Sequence, residues 1–324
     1  MKYSVVIISR NNRPMLLNCL ASLRPEAAGR AEIIVAEAGE EPAPLEGEGL
    51  VHLRLPPASA GFSPQRNAGV RAASGEYVIF IDDDIEVPPG WFDRMTGGAH
   101  ERPEVSGCMG AVFPRPAGPV SFLTGVLGHP GGGFRLHHYS RGSEIPLPQV
   151  ATCNTVMRRS VIGEAGGFSA AFRSGSEDSE LSIRIREKRG ADPFVYLPAA
   201  RAWHHSKDSL GPALRWYVRR GEADADLFVA HRSHRAYALR TSLALKLLPV
   251  LALSPFYPPL LPAAFAAWYL VQLCRMRFMY DYFPPYGFSA GLRLAVFCLA
   301  PAFKLAADLA MDYGRARRAA GLLL

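Results

Sequence analysis

The stretch that most constrains the fold is an apolar run that ends in three consecutive aspartates. Residues 77–81 are β-branched and aromatic, which is typical of a strand buried on both faces of a parallel sheet. Asp82, Asp83 and Asp84 follow directly. Isolated carboxylates are costly away from water unless they are paired, hydrogen-bonded or bound to a cation. Ligands of open α/β sheets lie beyond the carboxyl ends of the strands, so the run predicts either a Mg²⁺ or Mn²⁺ site that holds phosphates or a solvated acidic turn.

Strands and helices alternate in the chain before this run. Residues 4–8, 33–35 and 51–55 have the composition of strands, and the second of these ends at Glu37. Leucines at helical spacing occupy residues 16–23. This alternation predicts an α/β fold with a parallel, doubly wound sheet.

A helix is expected between the third strand and the acidic strand. It would start near Ser63 and Pro64, because serine caps helices and proline fits the first turn, and it would run to Gly75. Its first turn would lie near the acidic end of the sheet, where Arg66 would meet phosphate. The alternative is that Arg66 and Arg71 form a solvated helix face.

The chain after the aspartates is harder to interpret. Residues 87–110 predict a further helix, whereas residues 112–148 are rich in glycine and are expected to form a loop, such as a lid or an acceptor loop. His129, His137 and His138 lie in this loop without the fixed spacing of metal ligands. We therefore favour a mobile loop over a histidine metal cluster.

A second pair of carboxylates lies further along the chain. Residues 150–157 and 193–197 have strand composition, and a helix is expected between them. Glu177 and Asp178 would lie in or just before its first turn. Acidic groups there are stabilised by the helix dipole by roughly 0.3–1 kcal/mol, which is the purely structural explanation of their position.

Two adjacent histidines, His204 and His205, follow the last predicted strand. Their position would allow them to complete a metal site that begins at the three aspartates. A histidine pair on its own is more often a structural or surface feature, so the pair alone does not decide between these interpretations.

Composition limits the partners and the compartment. The 324 residues suffice for roughly two domains. A formal net charge of +7 suits nucleotide phosphates, an anionic membrane surface or nucleic acid without choosing among them. The five cysteines are scattered and odd in number, which argues against a disulfide framework and a structural zinc and for a reducing compartment. The apolar run at residues 5–8 is too short for a signal-peptide core, so a cytosolic domain is expected to begin there.

Five segments, taken in order, resemble the inverting glycosyltransferases of family 2, which have the GT-A fold. They are SVVIISRN at residues 4–11, RNAG at 66–69, ASGEYVIFIDDD at 73–84, GGF at 166–168 with ED at 177–178, and WH at 203–204. Each segment alone is a weak signal, whereas five in the order and spacing of the family are specific. The resemblance covers roughly residues 3–210.

The resemblance implies a nucleotide-sugar donor, with a UDP-sugar as the first expectation, whose diphosphate is held by Mg²⁺ or Mn²⁺. It assigns metal contact first to Asp84, a ribose or metal–water contact to Asp82, and a position beside the sugar and base to Asp83. His204 would be the third metal ligand, with His205 as the second choice.

The resemblance also implies the rest of the donor site. Ser9, Arg10 and Asn11 would frame the nucleobase, and Arg66 and Asn67 would line the donor cleft. The family usually has an aspartate at the end of the second strand that reads uracil. Glu37 stands at that position here, and this departure leaves the identity of the base open.

The resemblance further implies that Asp178 would be the general base and that Glu177 would help to place the acceptor. Direct displacement at an anomeric carbon requires deprotonation of the attacking hydroxyl, for which one positioned carboxylate suffices. A metal neutralises the charge that develops on the leaving nucleoside diphosphate. One base and one metal clamp therefore imply a single displacement with inversion.

The C-terminal third is apolar. Residues 247–274 contain no charged side chain, and this stretch is long enough for a membrane-spanning helix. Five prolines interrupt it, however, and both of its flanks are basic. We expect a re-entrant hairpin or two short tilted helices rather than one crossing. Residues 289–312 predict an interfacial amphipathic helix. Its charges share one face: Arg293, Lys304, Asp308 and Asp312.

These features predict a domain at residues 1–210, a basic helical connection at 211–240 and membrane-associated helices at 241–324. A water-soluble accessory domain or a dimer interface is the alternative for the last segment. We prefer membrane association, because residues 202–240 are also basic and would lie at an anionic surface.

The leading hypothesis is a metal-dependent inverting glycosyltransferase at the cytoplasmic face of a membrane, with a glycan or lipid-linked acceptor and no nucleic-acid partner. A nucleotidyltransferase would carry a glycine-rich phosphate loop after the first strand, but residues 9–14 contain no glycine. A non-catalytic scaffold that binds a nucleotide or lipid would have lost one of the two carboxylate groups, and both are intact.

Overall fold

The strand that ends in the three aspartates lies in the middle of a mixed sheet. The computed structural model describes residues 2–40, 42–172, 175–190 and 192–323. Within these residues the sheet has nine strands: β1 (Tyr3–Ser9), β2 (Ala31–Ala38), β3 (Leu50–Leu55), β4 (Tyr77–Asp82), β5 (Ile85–Glu86), β6 (Gly107–Pro114), β7 (Ile145–Leu147), β8 (Asn154–Arg158) and β9 (Phe194–His204). Their order is β3-β2-β1-β4-β8-β6-β9-β5, and β7 also pairs with β9.

The chain divides into two compact units. The first contains residues 1–115 and 128–205, and the second contains residues 116–127 and 206–324. The helices of the first unit are α1 (Arg13–Ala27), α2 (Phe62–Ala72), α3 (Trp91–Met95), α5 (Gly133–Ser140), α6 (Arg159–Glu164) and α7 (Glu177–Arg189). Those of the second unit are α4 (Pro119–Val126), α8 (Leu210–Ala230), α9 (Arg232–Thr241), α10 (Leu243–Leu253), α11 (Leu260–Met276) and α12 (Ala290–Leu323).

The first half of the sheet is parallel, and its register aligns the functional strand ends. β1 lies between β2 and β4, with Ser9 opposite Glu37 and Ile8 opposite Asp82. The side chains of β1 are all buried, as are those of residues 77–81. The predicted α/β fold is confirmed, and the polar residues that follow β1, β2 and β4 meet at one edge of the sheet.

The second half of the sheet is mainly antiparallel. β8 runs antiparallel to both β4 and β6, β5 and β7 run antiparallel to β9, and only β6 and β9 are parallel. A strand that is buried on both faces is apolar whether its neighbour runs parallel or antiparallel to it. Its sequence therefore does not specify the orientation of the neighbouring strand. The expectation of a parallel sheet therefore holds for the first half and fails for β8.

The expected loop at residues 112–148 is largely structured. It contains the end of β6, two helices and β7. Gly131, Gly132 and Gly133 adopt positive φ angles and turn the chain into α5, so the glycines start a helix instead of forming a lid. His137 packs edge-on against Phe113, and burial, with Arg201 nearby, lowers the pKa of its imidazole to about 4. This histidine is a packing residue.

Helix α2 begins earlier than the serine signal indicates. Gly61 is its N-cap, and Gln65 Oε1 accepts a hydrogen bond from the Gly61 amide at 3.1 Å. Ser63 lies inside the helix, one residue after its start at Phe62, and its hydroxyl donates to the Ser169 carbonyl at 2.9 Å instead of accepting from a backbone amide. The prediction that Ser63 caps this helix is wrong for that reason.

In the second unit, α8 and α12 touch backbone to backbone. A Cβ atom at Gly221 would lie 2.0 Å from the Met311 carbonyl oxygen, and one at Gly314 would lie 2.0 Å from that of Val218. Two glycines thus allow a close crossing of the two longest helices.

The uncharged stretch at residues 247–274 is not one helix, because residues 254–259 separate α10 from α11. Judged by length and composition, one helix among the described residues is able to cross a membrane, at Ala290–Gly321. Helices α9 and α10, bent by 50° at their junction, would pass the same test only as one broken span.

Candidate active site

The second aspartate of the acidic run turns toward the end of β1. Asp83 accepts hydrogen bonds from Ser9 Oγ at 2.6 Å and from Asn12 Nδ2 at 2.9 Å. Burial raises the pKa of Asp83 to about 7, and the charges of Asp84 and Asp82 add to the rise, whereas the two hydrogen bonds oppose it. Asn12, which our sequence interpretation did not single out, therefore fixes Asp83 together with Ser9.

A single arginine joins the two carboxylate groups. Arg66 Nη2 donates to Asp82 Oδ1 at 2.9 Å, and Nη1 donates to Glu177 Oε1 through a shorter bond. The Arg66 side chain is only 4% exposed, so this is a buried charge with two acidic partners. The guanidinium also lies over the ring of Phe168, 5.9 Å from its centroid. Residues that are far apart in sequence thus form one site.

The acidic start of α7 presents one buried and one accessible carboxylate. Burial raises the pKa of Glu177 to about 7, with the neighbouring Asp178 and Asp82 charges adding to the rise and Arg66 opposing it. In the described part of the chain, Glu177 Oε2 is buried without a hydrogen-bond partner. Asp178 is half-buried, and its Oδ1 accepts from the Ser179 amide at 2.7 Å.

The predicted donor residue Asn67 holds the backbone next to this helix. Its Nδ2 donates to the Phe168 carbonyl at 2.8 Å, and its Oδ1 accepts from the Phe168 amide at 2.9 Å. A Cβ atom at Gly167 would lie 2.8 Å from Asn67 Oδ1, and one at Gly69 would lie 2.3 Å from Val6 Cγ1. Close packing and backbone hydrogen bonds therefore account for much of the RNAG and GGF segments.

The third aspartate meets the histidine pair because β5 pairs with β9. Strand β9 extends to His204, beyond the predicted end at residue 197, and Ile85 lies opposite His204. This pairing brings His204 Nε2 to 3.4 Å from Asp84 Oδ1. His205 turns to Glu86 instead, with Nε2 2.6 Å from Oε1. The two histidines therefore have different partners.

The donor atoms near Asp84 fit a hard divalent cation. No group of three or more His, Cys, Asp or Glu side chains among the described residues forms a ready-made metal site. Mg²⁺ and Mn²⁺ are commonly bound by only one or two protein ligands, with water and substrate phosphates completing the shell. Asp84 and His204 supply one oxygen and one nitrogen, and a cation beside them would offset the charges of Asp84 and Asp82, which add to the effect of burial on the pKa of Asp83.

Glu37, at the end of β2, is held by two residues that our sequence interpretation missed. Glu37 Oε2 accepts from Arg13 Nη1 at 2.5 Å and contacts His52 Nε2 at 3.0 Å. The Leu45 amide donates to His52 Nδ1 at 3.1 Å, so the ring proton lies on Nε2 and points to the carboxylate. Burial lowers the pKa of His52, which keeps this ring neutral. Glu37 is thereby fixed as a buried carboxylate.

The turn that follows β1 has an exposed and a buried part. Arg10 and Asn11 are exposed, and Asn11 has a positive φ of 54°. Ser9 is buried, and Gln65 Nε2 donates to its carbonyl at 2.7 Å. The structure therefore brings Ser9, Glu37, Asp83 and the Arg66 bridge to one edge of the sheet, with Arg10 and Asn11 at its rim.

A mixed α/β sheet with an acidic strand end at this edge has the architecture of the GT-A class of transferases. Residues 4–164 match the family model described as Glycosyl transferase family 2. The chain belongs to this family, through its first unit.

Three relatives illustrate the similarity. The pre-mycofactocin glycosyltransferase of Mycobacterium tuberculosis is 30% identical over 246 residues, which is 70% of this chain and 48% of that protein. The O-antigen biosynthesis protein RfbC of Myxococcus xanthus is 28% identical over 53% of this chain and 14% of its own length. The chain thus covers less than half of either relative. The structure of a Pyrobaculum calidifontis mannosyltransferase, PcManGT, aligns over 95% of this chain and 86% of its own with a TM-score of 0.55 and 16% identity, which supports the fold.

Proposed function

We propose that the protein transfers a sugar from a nucleotide-sugar donor to an acceptor hydroxyl by a single displacement with inversion. The observation that carries this proposal is the Arg66 bridge between Asp82, at the donor end of β4, and Glu177, at the start of the acceptor helix α7. The bridge holds the carboxylates proposed for the donor side and the acceptor side within the span of one guanidinium. One carboxylate base then serves one reaction centre.

Asp178 is the proposed general base, and Glu177 positions the acceptor side. Asp178 is partly accessible, so an acceptor hydroxyl is able to reach its carboxylate. Glu177 is buried, and one of its oxygens is occupied by Arg66, so it is poorly placed to accept a proton from a substrate. Arg66 keeps the two acidic groups in a fixed relation.

Asp84 and His204 are the proposed ligands of Mg²⁺ or Mn²⁺, with Asp82 beside them. When bound, the ion neutralises the charge of the leaving diphosphate. PcManGT was solved in complex with GDP-Man and Mn²⁺, which supports a divalent ion as the cofactor. Asp83 is committed to Ser9 and Asn12, so we assign it the role of holding the acidic turn against β1.

A UDP-sugar remains the first donor to test, with a GDP-sugar second. Glu37 Oε2 is taken by Arg13 and His52, which leaves Oε1 as the oxygen able to accept a base N–H. We propose that Ser9, Arg10 and Asn11 frame the base. A thermal-shift series of nucleotide sugars with Mn²⁺ would identify the base through the largest increase in unfolding temperature.

We propose a lipid-linked or membrane-proximal acceptor and a location at the cytoplasmic face of a membrane. One relative is an N-acetylglucosaminyl-diphospho-decaprenol L-rhamnosyltransferase of Mycobacterium tuberculosis, 27% identical over 53% of this chain and 62% of its own length. Its name describes a lipid-linked acceptor. The apolar helices of the second unit support an association with a membrane.

The test compares three carboxylate variants. Asp178→Asn should abolish transfer while leaving donor binding intact, because the amide cannot accept the proton. Glu177→Gln should lower transfer less severely, and Asp93→Asn, whose side chain is 73% exposed in the first unit, is the matched control. Full turnover by Asp178→Asn would remove the assigned base. Release of pyrophosphate instead of a nucleoside diphosphate would indicate a nucleotidyltransferase.

A further inference from the structure

One continuous segment of the second unit contains no buried residue. None of residues 244–271 is buried, although this segment contains most of α10 and α11. Phe256 and Tyr257, in the turn between the helices, are 78% and 70% exposed. A hydrogen bond from the Tyr269 hydroxyl to the Cys298 carbonyl ties α11 to α12, but most of the apolar surface stays open. Monomeric soluble proteins rarely leave an apolar surface of this extent uncovered.

The composition of the segment indicates what covers it. Lys246 is the only charged residue among residues 244–271, so neither helix has a polar face to present to water. A helix that is apolar on all sides lies in a protein core or in lipid. A second copy of the chain would cover one side of each helix and leave the others exposed. Lipid acyl chains cover all sides at once.

The charges that flank the segment fit an anionic bilayer surface. There is no aspartate or glutamate from residue 227 to residue 280. Basic side chains lie at both ends of the apolar stretch, namely Arg240, Lys246, Arg275 and Arg277. Each basic residue near an anionic membrane contributes about 1 kcal/mol to binding. The two ends therefore favour the same membrane face.

The helices are too short to reach the opposite face. At a rise of about 1.5 Å per residue, the 11 residues of α10 extend about 16 Å and the 17 residues of α11 about 25 Å. The hydrocarbon core is about 30 Å thick. Pro255, Pro258 and Pro259 lie in the break and prevent α10 and α11 from forming one continuous helix.

We propose that residues 244–271 enter one leaflet of an anionic membrane and return to the same side, with Phe256 and Tyr257 at the deepest point. This re-entrant segment deepens the membrane location proposed above. It also specifies the mode of attachment: the segment is anchored in one leaflet and does not cross the bilayer.

The first experiment measures binding of the full chain to phosphatidylcholine vesicles with and without phosphatidylglycerol. Phe256→Asp with Tyr257→Asp should weaken binding by about a hundredfold or more, because each carboxylate at the apex must enter hydrocarbon. The apolar pair Phe256→Leu with Tyr257→Leu should retain binding within about threefold, and so should Tyr139→Asp, which changes an exposed aromatic residue of the first unit. Binding of the double aspartate variant at the wild-type level would overturn the proposal.

The second experiment tests topology and does not depend on charge at the apex. Single cysteines are introduced as Arg240→Cys, Phe256→Cys or Tyr280→Cys, in a chain whose exposed Cys274 and Cys298 are serine. The remaining cysteines are buried. After the protein binds to preformed vesicles, a membrane-impermeant maleimide should label positions 240 and 280 and should fail to label position 256.

Each other labelling pattern contradicts the proposal. Protection at residue 280 alone would mean that the segment crosses the bilayer, and labelling at residue 256 with vesicles present would mean that it does not insert. Protection at residue 256 without vesicles would mean that a second copy covers the apex. Thermal-shift measurement of donor binding in the same variants separates this result from the proposed transfer reaction, because that site lies in the first unit.

Discussion

Replacement of Arg66 by methionine tests whether one buried cation holds the two carboxylate groups together. Methionine keeps much of the apolar volume of the side chain but removes both hydrogen bonds and the charge. Glu177 would remain buried without a partner, whereas the Asp82 side chain is 30% exposed and would be partly solvated. Removal of one partner from a buried ion pair costs about 3–5 kcal/mol. We expect the free energy of unfolding to fall by about 3 kcal/mol at pH 8, at the low end of this range, because only Glu177 is fully buried.

The loss should depend on pH with a definite sign. The pKa of Glu177 is already raised to about 7, and removal of Arg66, which opposes that rise, raises it further. At about pH 6 the carboxyl is therefore neutral in the folded variant, and the remaining cost is that of an unpartnered polar group, about 1–2 kcal/mol. The destabilisation should shrink as the pH falls.

The assay is urea unfolding of the full chain, followed by tryptophan fluorescence in mild detergent. Trp216→Phe and Trp268→Phe remove the tryptophans of the second unit, so that Trp91 and Trp203 report on the first unit alone. Arg71→Met is the matched control, because Arg71 lies on the same helix and is exposed. A loss for Arg66→Met no greater than that of the control, or equal at both pH values, would refute the bridge.

Three further predictions follow from the same contacts. Asp84→Asn should weaken Mn²⁺-dependent donor binding at least about tenfold, and metal-independent binding at wild-type affinity would contradict the assigned ligand. The pKa values of Asp83 and Glu177 are about 7 in the folded state and lower when unfolded, so the fold binds more protons between about pH 4 and pH 7. Without metal, the free energy of unfolding, measured with urea, should therefore fall as the pH rises through this window, by several kcal/mol and at most about 8 kcal/mol. Gly69→Ala should cost about 1–3 kcal/mol by the same measurement, because its Cβ would overlap a β1 valine, whereas Gly163→Ala meets open space and should be neutral or stabilising.

The elements that the sequence predicted best have strong local signals. β4 and its aspartates were predicted because a fully apolar run ended abruptly in charge, and the acidic start of α7 because Glu177 and Asp178 precede a helical pattern. The meeting of the strand ends was also predictable, since parallel strands place their carboxyl ends at one edge of the sheet. The position of His204 beside Asp84 remained an inference from family resemblance until the β5–β9 pairing was seen.

The contacts that the sequence did not reveal depend on distant partners. Arg66 was expected to meet phosphate, and nothing local indicated that its charge would be shared by Asp82 and Glu177. His52 lies in a partly exposed strand whose pattern carries no sign of Glu37. Asn12 lay within a turn that we had noted, yet its hydrogen bond to Asp83 becomes visible only when β1 and β4 are adjacent.

The pairing of β5 with β9 also determines when the site becomes complete during synthesis. β1 to β4 all lie within the first 82 residues, so their parallel pairing does not have to await synthesis of the rest of the chain. His205 and Glu86 are separated by 119 positions, so the acidic turn acquires its histidine side only after β9 has been made. Such distant contacts form slowly and late. A nascent chain stalled before β9 would therefore carry the acidic strand end without the histidines that accompany it.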